Sequence, residues 1–173
     1  MDKEEFIKKL LQYRNTVFRV AYSYTKNKSD AEDISQEVFL KFYTSDINFD
    51  NSEQLKAWLI RVTINKSKDL LKSNWFSKRS DQTDISQSFT MNESQSEILE
   101  AVLSLPEKYK IVIHLYYYEN YSLNEISEIT GVKISTLQTR LQRGRKLLEK
   151  KLKEENIYEQ KFIQQCYGQD RNE

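Results

Sequence analysis

SLNEISEITGVKISTLQTRLQRGRKLL, residues 122–148, decides how this chain reads. It divides into a helix, a three-residue turn opening with Gly131, and a second helix whose outward side is strongly basic. Ile126 and Leu137 are spaced to face each other across the turn. Ser122-x-x-Glu125 and Ser135-x-x-Gln138 each have the spacing of a capping box, in which two side chains satisfy the first backbone N–H groups of a helix. The pattern predicts a helix-turn-helix that reads duplex DNA. Between Gly131 and Lys153 stand eight Lys or Arg (133, 140, 143, 145, 146, 150, 151 and 153) against one Glu, while the whole chain carries only +1. Basic charge gathered in this way suits DNA phosphates and locates the contact. A solvated basic helix face would share the charge pattern, but not the turn glycine and the caps.

The 173 residues are 31% charged and 38% hydrophobic, the balance of a globular protein of one domain or two small ones. Three Gly and one Pro leave little to interrupt helices, so an all-α fold is expected. Cys166, the only cysteine, excludes an intramolecular disulfide and fits a reducing cytoplasm. The first residues, MDKEEFIKKL, mix acids and bases where a secretion signal would be apolar, and a run such as Ile111–Ile113 is far too short to span a bilayer. The expectation is a cytoplasmic protein without membrane insertion. No cluster of metal ligands and no nucleophile beside a base is visible, so no cofactor, metal or catalytic residue is expected.

Upstream, Phe6, Leu10, Val17, Phe18 and Ala21 recur at helical intervals and predict a first helix that stops around Lys26 and Asn27. Ser29-x-x-Glu32 has the spacing of a further capping box, opening a helix with Ile34, Val38 and Phe42 inside. A third helix, capped by Asn51 or Ser52, carries Leu55, Trp58, Leu59 and Val62 on its apolar side. Residues 1–72 thus form one three- to four-helix bundle. In 73–96 the periodicity fails and seven of the residues are Ser, the composition of a flexible linker. Helical pattern resumes from 97, is interrupted at Leu105-Pro106, and runs through the helix-turn-helix to 153 as a four-helix unit. Residues 154–173 form a polar tail with no visible chemistry.

Three stretches carry a family resemblance: YSYTKNKSDAEDISQEVFLKFY (22–43), AWLIRVTINKSKDLLK (57–72) and LPEKYKIVIHLYYYENYSLNEISEITGVKISTLQTRLQRGRKLL (105–148). Together they resemble the extracytoplasmic-function (ECF) group of sigma-70 family RNA polymerase sigma factors. These are similar, in order, to that family's polymerase-binding segment, its promoter-melting helix and its second DNA-binding region. The chain departs from the family pattern at Thr63, Ser127 and Gly144, where Ala is usual, and at Lys72, where Arg is usual. Gly144 should cost about 1 kcal/mol of helix propensity and soften the recognition helix.

The resemblance implies a transcription initiation factor whose partners are core RNA polymerase, promoter DNA as duplex and melted single strand, and an inhibitory anti-sigma protein. It also implies roles for particular residues. Asp33, Gln36, Glu37, Phe39 and Leu40 would dock on the polymerase. Arg61, Asn65, Asp69 and Lys72 would contact the minus-ten element. The residues themselves support part of this. An acidic second helix, with Asp30, Glu32, Asp33 and Glu37, would repel phosphate, so a protein partner suits it better, although a solvated acidic face is also open. At least one of Phe39 and Leu40 should be exposed. Trp58, Asn65 and Asp69 fall along one stripe of the third helix, with Arg61 and Lys72 beside it; Trp58 reads either as a core anchor or as a surface for unstacked bases.

On the recognition helix, Ser135, Thr136, Gln138, Thr139, Arg140 and Arg143 are placed to read bases, which the resemblance implies are those of a minus-thirty-five element, and Lys146, Lys150 and Lys151 to hold phosphates. A linker of 24 residues has a root-mean-square span of about 27 Å and a limit of about 80 Å. Elements 17 base pairs apart lie about 58 Å apart, so the linker would have to be held extended. Two rivals share parts of the pattern: a stand-alone helix-turn-helix regulator, dimeric on a palindrome, and a helical adaptor that binds only protein. His114, with no carboxylate expected nearby, reads as structural. The three tyrosines 116–118 should point to three sides of a helix.

Overall fold

The structure is a computed structural model and describes residues 2–74, 98 and 100–154. Among the described residues every regular element is helical, as expected of an all-α fold. The chain divides into two units, Met1–Asp84 and Ile85–Glu173.

In the first unit α1 (Lys3–Thr25), α2 (Lys28–Thr44) and α3 (Ser52–Asn74) each pack on the other two. Asp2 caps α1, its carboxylate accepting the Glu5 N–H at 2.8 Å, and the helix stops at Lys26, which takes a left-handed φ of 51°. That turn leaves only Asn27 before the next helix. α2 therefore starts ahead of the expected Ser29 box: the cap is Asn27, whose Oδ1 accepts the Asp30 N–H at 3.0 Å, and Ser29 lies inside the first turn. Asn51, not Ser52, caps α3, accepting the Gln54 N–H at 2.9 Å.

The core of this unit is Val17, Val20 and Ala21 from α1, Ala31, Ile34 and Val38 from α2, and Leu59, Ile60 and Ile64 from α3. Thr63 and Ser67 are fully buried as well, and each hydroxyl donates to the carbonyl one turn back, at 2.7 and 2.8 Å, so neither leaves an unsatisfied group. The Tyr13 hydroxyl donates to the Ser52 carbonyl at 3.2 Å, tying α1 to the start of α3. Burial above all, and then the charge of Glu53, push this phenol above its ordinary pKa. Because α3 runs through Asn74, the first two residues assigned to the linker are helical. Residues 75–97 and 155–173, most of the linker and nearly all of the tail, lie outside the described residues.

The second unit contains helical residues 100–103, α4 (Glu107–Ile113), α5 (Leu123–Thr130) and α6 (Ile134–Glu154). The break expected at Leu105-Pro106 is present, with Pro106, which has no N–H to leave unpaired, heading α4. α4 and α5 both pack on α6. Leu137, Leu141, Leu148 and Leu152 are at most 2% exposed and form the inner stripe of α6. Each such side chain stabilises the unit by about 1.5–3 kcal/mol, an upper bound because the unfolded chain already buries some of it.

Gly144 sits in that stripe. A Cβ there would lie 3.1 Å from Ile113 Cγ1 and 3.3 Å from Tyr109 Cβ, so the missing side chain lets α4 lie close against α6. Its cost in helix propensity is thus offset by tight interhelical packing, which the sequence pattern does not reveal.

α4 continues into a π turn, His114–Tyr118, and this overturns one expectation. Five residues along an α-helix place two side chains roughly 140° apart. The wider turn, closed by the Glu119 N–H donating to the His114 carbonyl at 3.3 Å, brings Glu119 back beside His114 instead. His114 Nε2 and Glu119 Oε1 are 3.7 Å apart with side chains 1% and 2% exposed, so a carboxylate does lie next to the histidine. The ring also stacks on Tyr118 at 5.4 Å. Tyr117 is buried while Tyr116 and Tyr118 are half-buried, in line with one or two of the three finishing the core.

Candidate nucleic-acid and protein interfaces

The helix-turn-helix forms as its spacing predicts at one end and shifts at the other. Ser122 makes both bonds of the capping box, its N–H donating to Glu125 Oε2 at 2.8 Å and its Oγ accepting the Glu125 N–H at 3.3 Å. Gly131 closes α5 with φ 72°, its N–H donating to the Ser127 carbonyl at 2.8 Å, a conformation that a side chain would strain. Ile126 and Leu137 are both fully buried. α6, however, begins at Ile134. The Thr136 and Leu137 N–H groups donate to the Lys133 carbonyl at 3.0 Å, so Ser135 is inside the first turn and the box expected at Ser135-x-x-Gln138 does not start the helix.

With the leucines inward, the opposite side of α6 is exposed. Ser135, Thr136, Gln138, Thr139 and Arg143 are exposed, as are Lys146 and Lys150, while Arg140 and Lys151 are half-buried at its flanks. Gln142, which the sequence reading passed over, is exposed too, seven residues from Ser135 and three from Thr139 on the same face. The helical spacing alone would have found it. Arg143 is engaged across helices, since it hydrogen-bonds the Tyr109 side chain on α4. Burial pushes the Tyr109 phenol up, but hydrogen bonds from Arg143 and Lys108 and their two charges outweigh it and hold the group below its ordinary value.

In the first unit Arg61, Asn65, Asp69 and Lys72 are all exposed at intervals of three or four residues, one continuous face of α3. Asp69 and Lys72 are 3.8 Å apart in water, a pairing of little energetic consequence. Trp58 is half-buried, 5.6 Å from Phe49 in an edge-on arrangement and 6.2 Å from Phe42. It is therefore a core anchor first.

The five residues nominated on α2 separate into two groups. Asp33 and Glu37 line a groove between α2 and α3 together with Asp30 and Asp69, and Glu37 is paired with Lys66. Gln36, Phe39 and Leu40 line a second groove, about 550 Å³ and mostly apolar, between α2 and α1, where Phe6, Ile7, Leu10 and Tyr43 complete the wall. Phe39 is only 6% exposed and forms the floor, whereas Leu40 is 62% exposed and stands at the rim. Ile7 was not nominated, because its apposition to Leu40 spans two helices that the sequence does not align, whereas Tyr43, three residues after Leu40 on α2, was within reach of helical spacing.

The fold and these faces define a class: a two-unit helical protein with a DNA-reading helix-turn-helix in its second unit. Comparison with known proteins narrows it. The Sigma-70 region 2 model matches residues 10–77 and the Sigma-70, region 4 model matches residues 95–148. RNA polymerase sigma factor SigV of Bacillus subtilis is 32% identical over 165 residues, 91% of this chain and 99% of that protein. ECF RNA polymerase sigma factor SigW of the same organism is 29% identical, covering 88% of this chain and 91% of that one. In fold, the chain is similar to the sigma factor RpoE crystallised with the anti-sigma factor NepR from Bartonella quintana (TM-score 0.70, 22% identity, 87% of this chain and 98% of that one). It is also similar to CnrH in complex with the cytosolic domain of CnrY (TM-score 0.62, 18% identity, 88% and 90%). This chain belongs to the sigma-70 family of RNA polymerase sigma factors, in its ECF group, and its role lies in transcription initiation. No helix among the described residues is long and apolar enough to cross a membrane.

Proposed function

We propose that the protein is a dissociable, cytoplasmic initiation factor that binds core RNA polymerase, directs it to specific promoters and assists their melting without catalytic chemistry of its own. The observation that carries this reading is the presence, on two separate units, of two exposed faces with different chemistry. α6 offers a basic and hydroxyl-rich face suited to a duplex groove, and α3 offers Arg61, Asn65, Asp69 and Lys72, a mixture suited to unpaired bases and their backbone.

Ser135, Thr136, Gln138, Thr139, Arg140 and Arg143 engage the minus-thirty-five element in this reading, with Lys146, Lys150 and Lys151 on flanking phosphates. α2 docks on the polymerase through Asp33, Gln36, Glu37 and above all Leu40, with Phe39 supporting the contact from below. Extruding a base costs a few kcal/mol, which binding energy from polymerase and captured strand supplies. RpoE and CnrH, two of the structures similar in fold, are each held by another protein, which supports an anti-sigma partner here.

The test compares DNA binding with and without core polymerase. The free protein should bind duplexes weakly and with a steep salt dependence, and sequence-specific binding should emerge only when core enzyme is added. Tight, specific binding by a dimer of the chain alone, on a palindrome, would instead identify a stand-alone regulator.

A further inference from the structure

Tyr109 packs against α6 at Gly144, where no side chain keeps it away, and Arg143 is the neighbouring residue on that helix. The Arg143 guanidinium and the Lys108 ammonium both reach the Tyr109 side chain, and Lys108 Nζ lies 5.0 Å from the ring centroid. Two cations from different helices therefore converge on one phenol at the edge of the exposed face of α6. Among the described residues no carboxylate pairs with either of them, although ion pairs are made elsewhere on this surface, as by Glu149 with Lys153. Two cations that reach the same phenol repel each other, and an anion placed beside them would relieve that repulsion. A tyrosine hydroxyl that accepts from a cation still has its own proton to donate, so the spot offers three kinds of donor to one acceptor.

We infer that Lys108, Tyr109 and Arg143 form a clamp for a single backbone phosphate of the duplex that α6 enters. This goes beyond the function proposed above while resting on it, and it moves Arg143 from base reading to phosphate holding. Tyr109 is chiefly a positioning residue: its hydroxyl holds the guanidinium, and the ring keeps the ammonium over the same point. The recognition helix is thereby locked in register by a residue of another helix, and sequence is left to Ser135, Thr136, Gln138, Thr139 and Arg140 nearer its start.

The test uses the full chain bound to core RNA polymerase. A pool of randomised duplexes is enriched by binding to the wild-type complex, and the enriched duplex then serves as probe for Lys108→Gln, Tyr109→Phe and Arg143→Ala. Because both cations serve one phosphate, Arg143→Ala and Lys108→Gln should each flatten the slope of log affinity against log salt by less than about 0.9, and the double substitution by about 0.9, with base preferences unchanged. Tyr109→Phe, which keeps the ring and its packing, should weaken binding about three- to tenfold with base preferences unchanged. Arg143→Ala that loses a base preference and keeps the wild-type slope would overturn the clamp, as would wild-type affinity in Tyr109→Phe. Failure of the wild-type complex to enrich any sequence would remove the proposed function and the clamp with it, a result distinct from either of those.

Discussion

Leu40→Asp should leave the first unit folded and lower its affinity for core RNA polymerase by about 30-fold or more, the loss expected when an interface anchor is removed. Leu40 is 62% exposed on α2, so a polar replacement removes little from the core and stability should change by no more than about 0.5 kcal/mol. What it disrupts is the rim of the apolar groove that Phe6, Ile7, Leu10 and Tyr43 share with it. An aliphatic side chain held out of the core beside such a groove is suited to burial in a partner, and a carboxylate carried into that contact would have to give up its water without a counter-charge. Titration of labelled core enzyme against the variant, with thermal unfolding as a control on the fold, reads both effects. Wild-type affinity in a folded Leu40→Asp would remove the α2 face from the docking surface.

The second large effect falls on DNA opening. Replacing Asn65 and Asp69 together by Ala should reduce promoter opening by about tenfold or more, on the scale of 1–3 kcal/mol for each contact to an unpaired base. Recruitment of polymerase to the same duplex should change by less than about threefold. Both side chains are exposed on α3 and on the opposite unit from the recognition helix. A carboxylate such as Asp69 repels phosphate, so in the proposed contact it accepts hydrogen bonds from exocyclic amino groups of exposed bases. Asp69 and Lys72 are 76% and 79% exposed, and breaking their pairing should not destabilise the helix measurably. Permanganate reactivity of unpaired thymines reports opening, and a gel shift of the same complexes reports recruitment. Equal losses in both, or a wild-type footprint, would contradict the assignment.

Which features were legible in the sequence depends on how far apart the interacting residues lie. Helix periodicity and the Ser122-x-x-Glu125 box act within one turn, and both were found in place. The boxes at Ser29 and Ser135 have the right spacing too, yet neither starts its helix. Lys26 turns left-handed and hands the cap to Asn27, and the short turn after Gly131 lets α6 begin at Ile134. A capping motif states where a helix can begin, and the preceding turn decides whether it does. The approach of Glu119 to His114 was missed because it depends on a π turn, whose residue spacing departs from the helical period used to read the pattern.

The candidate sites divide in the same way. Arg61, Asn65, Asp69 and Lys72 share a face of one helix, so their spacing sufficed to place them together, while their role rests on the family resemblance. The division of α2 between an acidic and an apolar groove depends on which neighbour each side meets, and the approach of Tyr109 to Arg143 depends on Gly144 opposite Ile113. Those contacts join residues far apart in the chain, and one sequence carries no signal for them.

Run-off transcription with sigma-free bacterial core polymerase tests the central claim most directly, using a template library that contains the enriched duplex upstream of random sequence. Core enzyme alone should give only diffuse initiation, and adding the protein should produce transcripts with a defined start downstream of that duplex. A core polymerase that neither retains the protein nor starts RNA at any defined site in its presence would contradict the account.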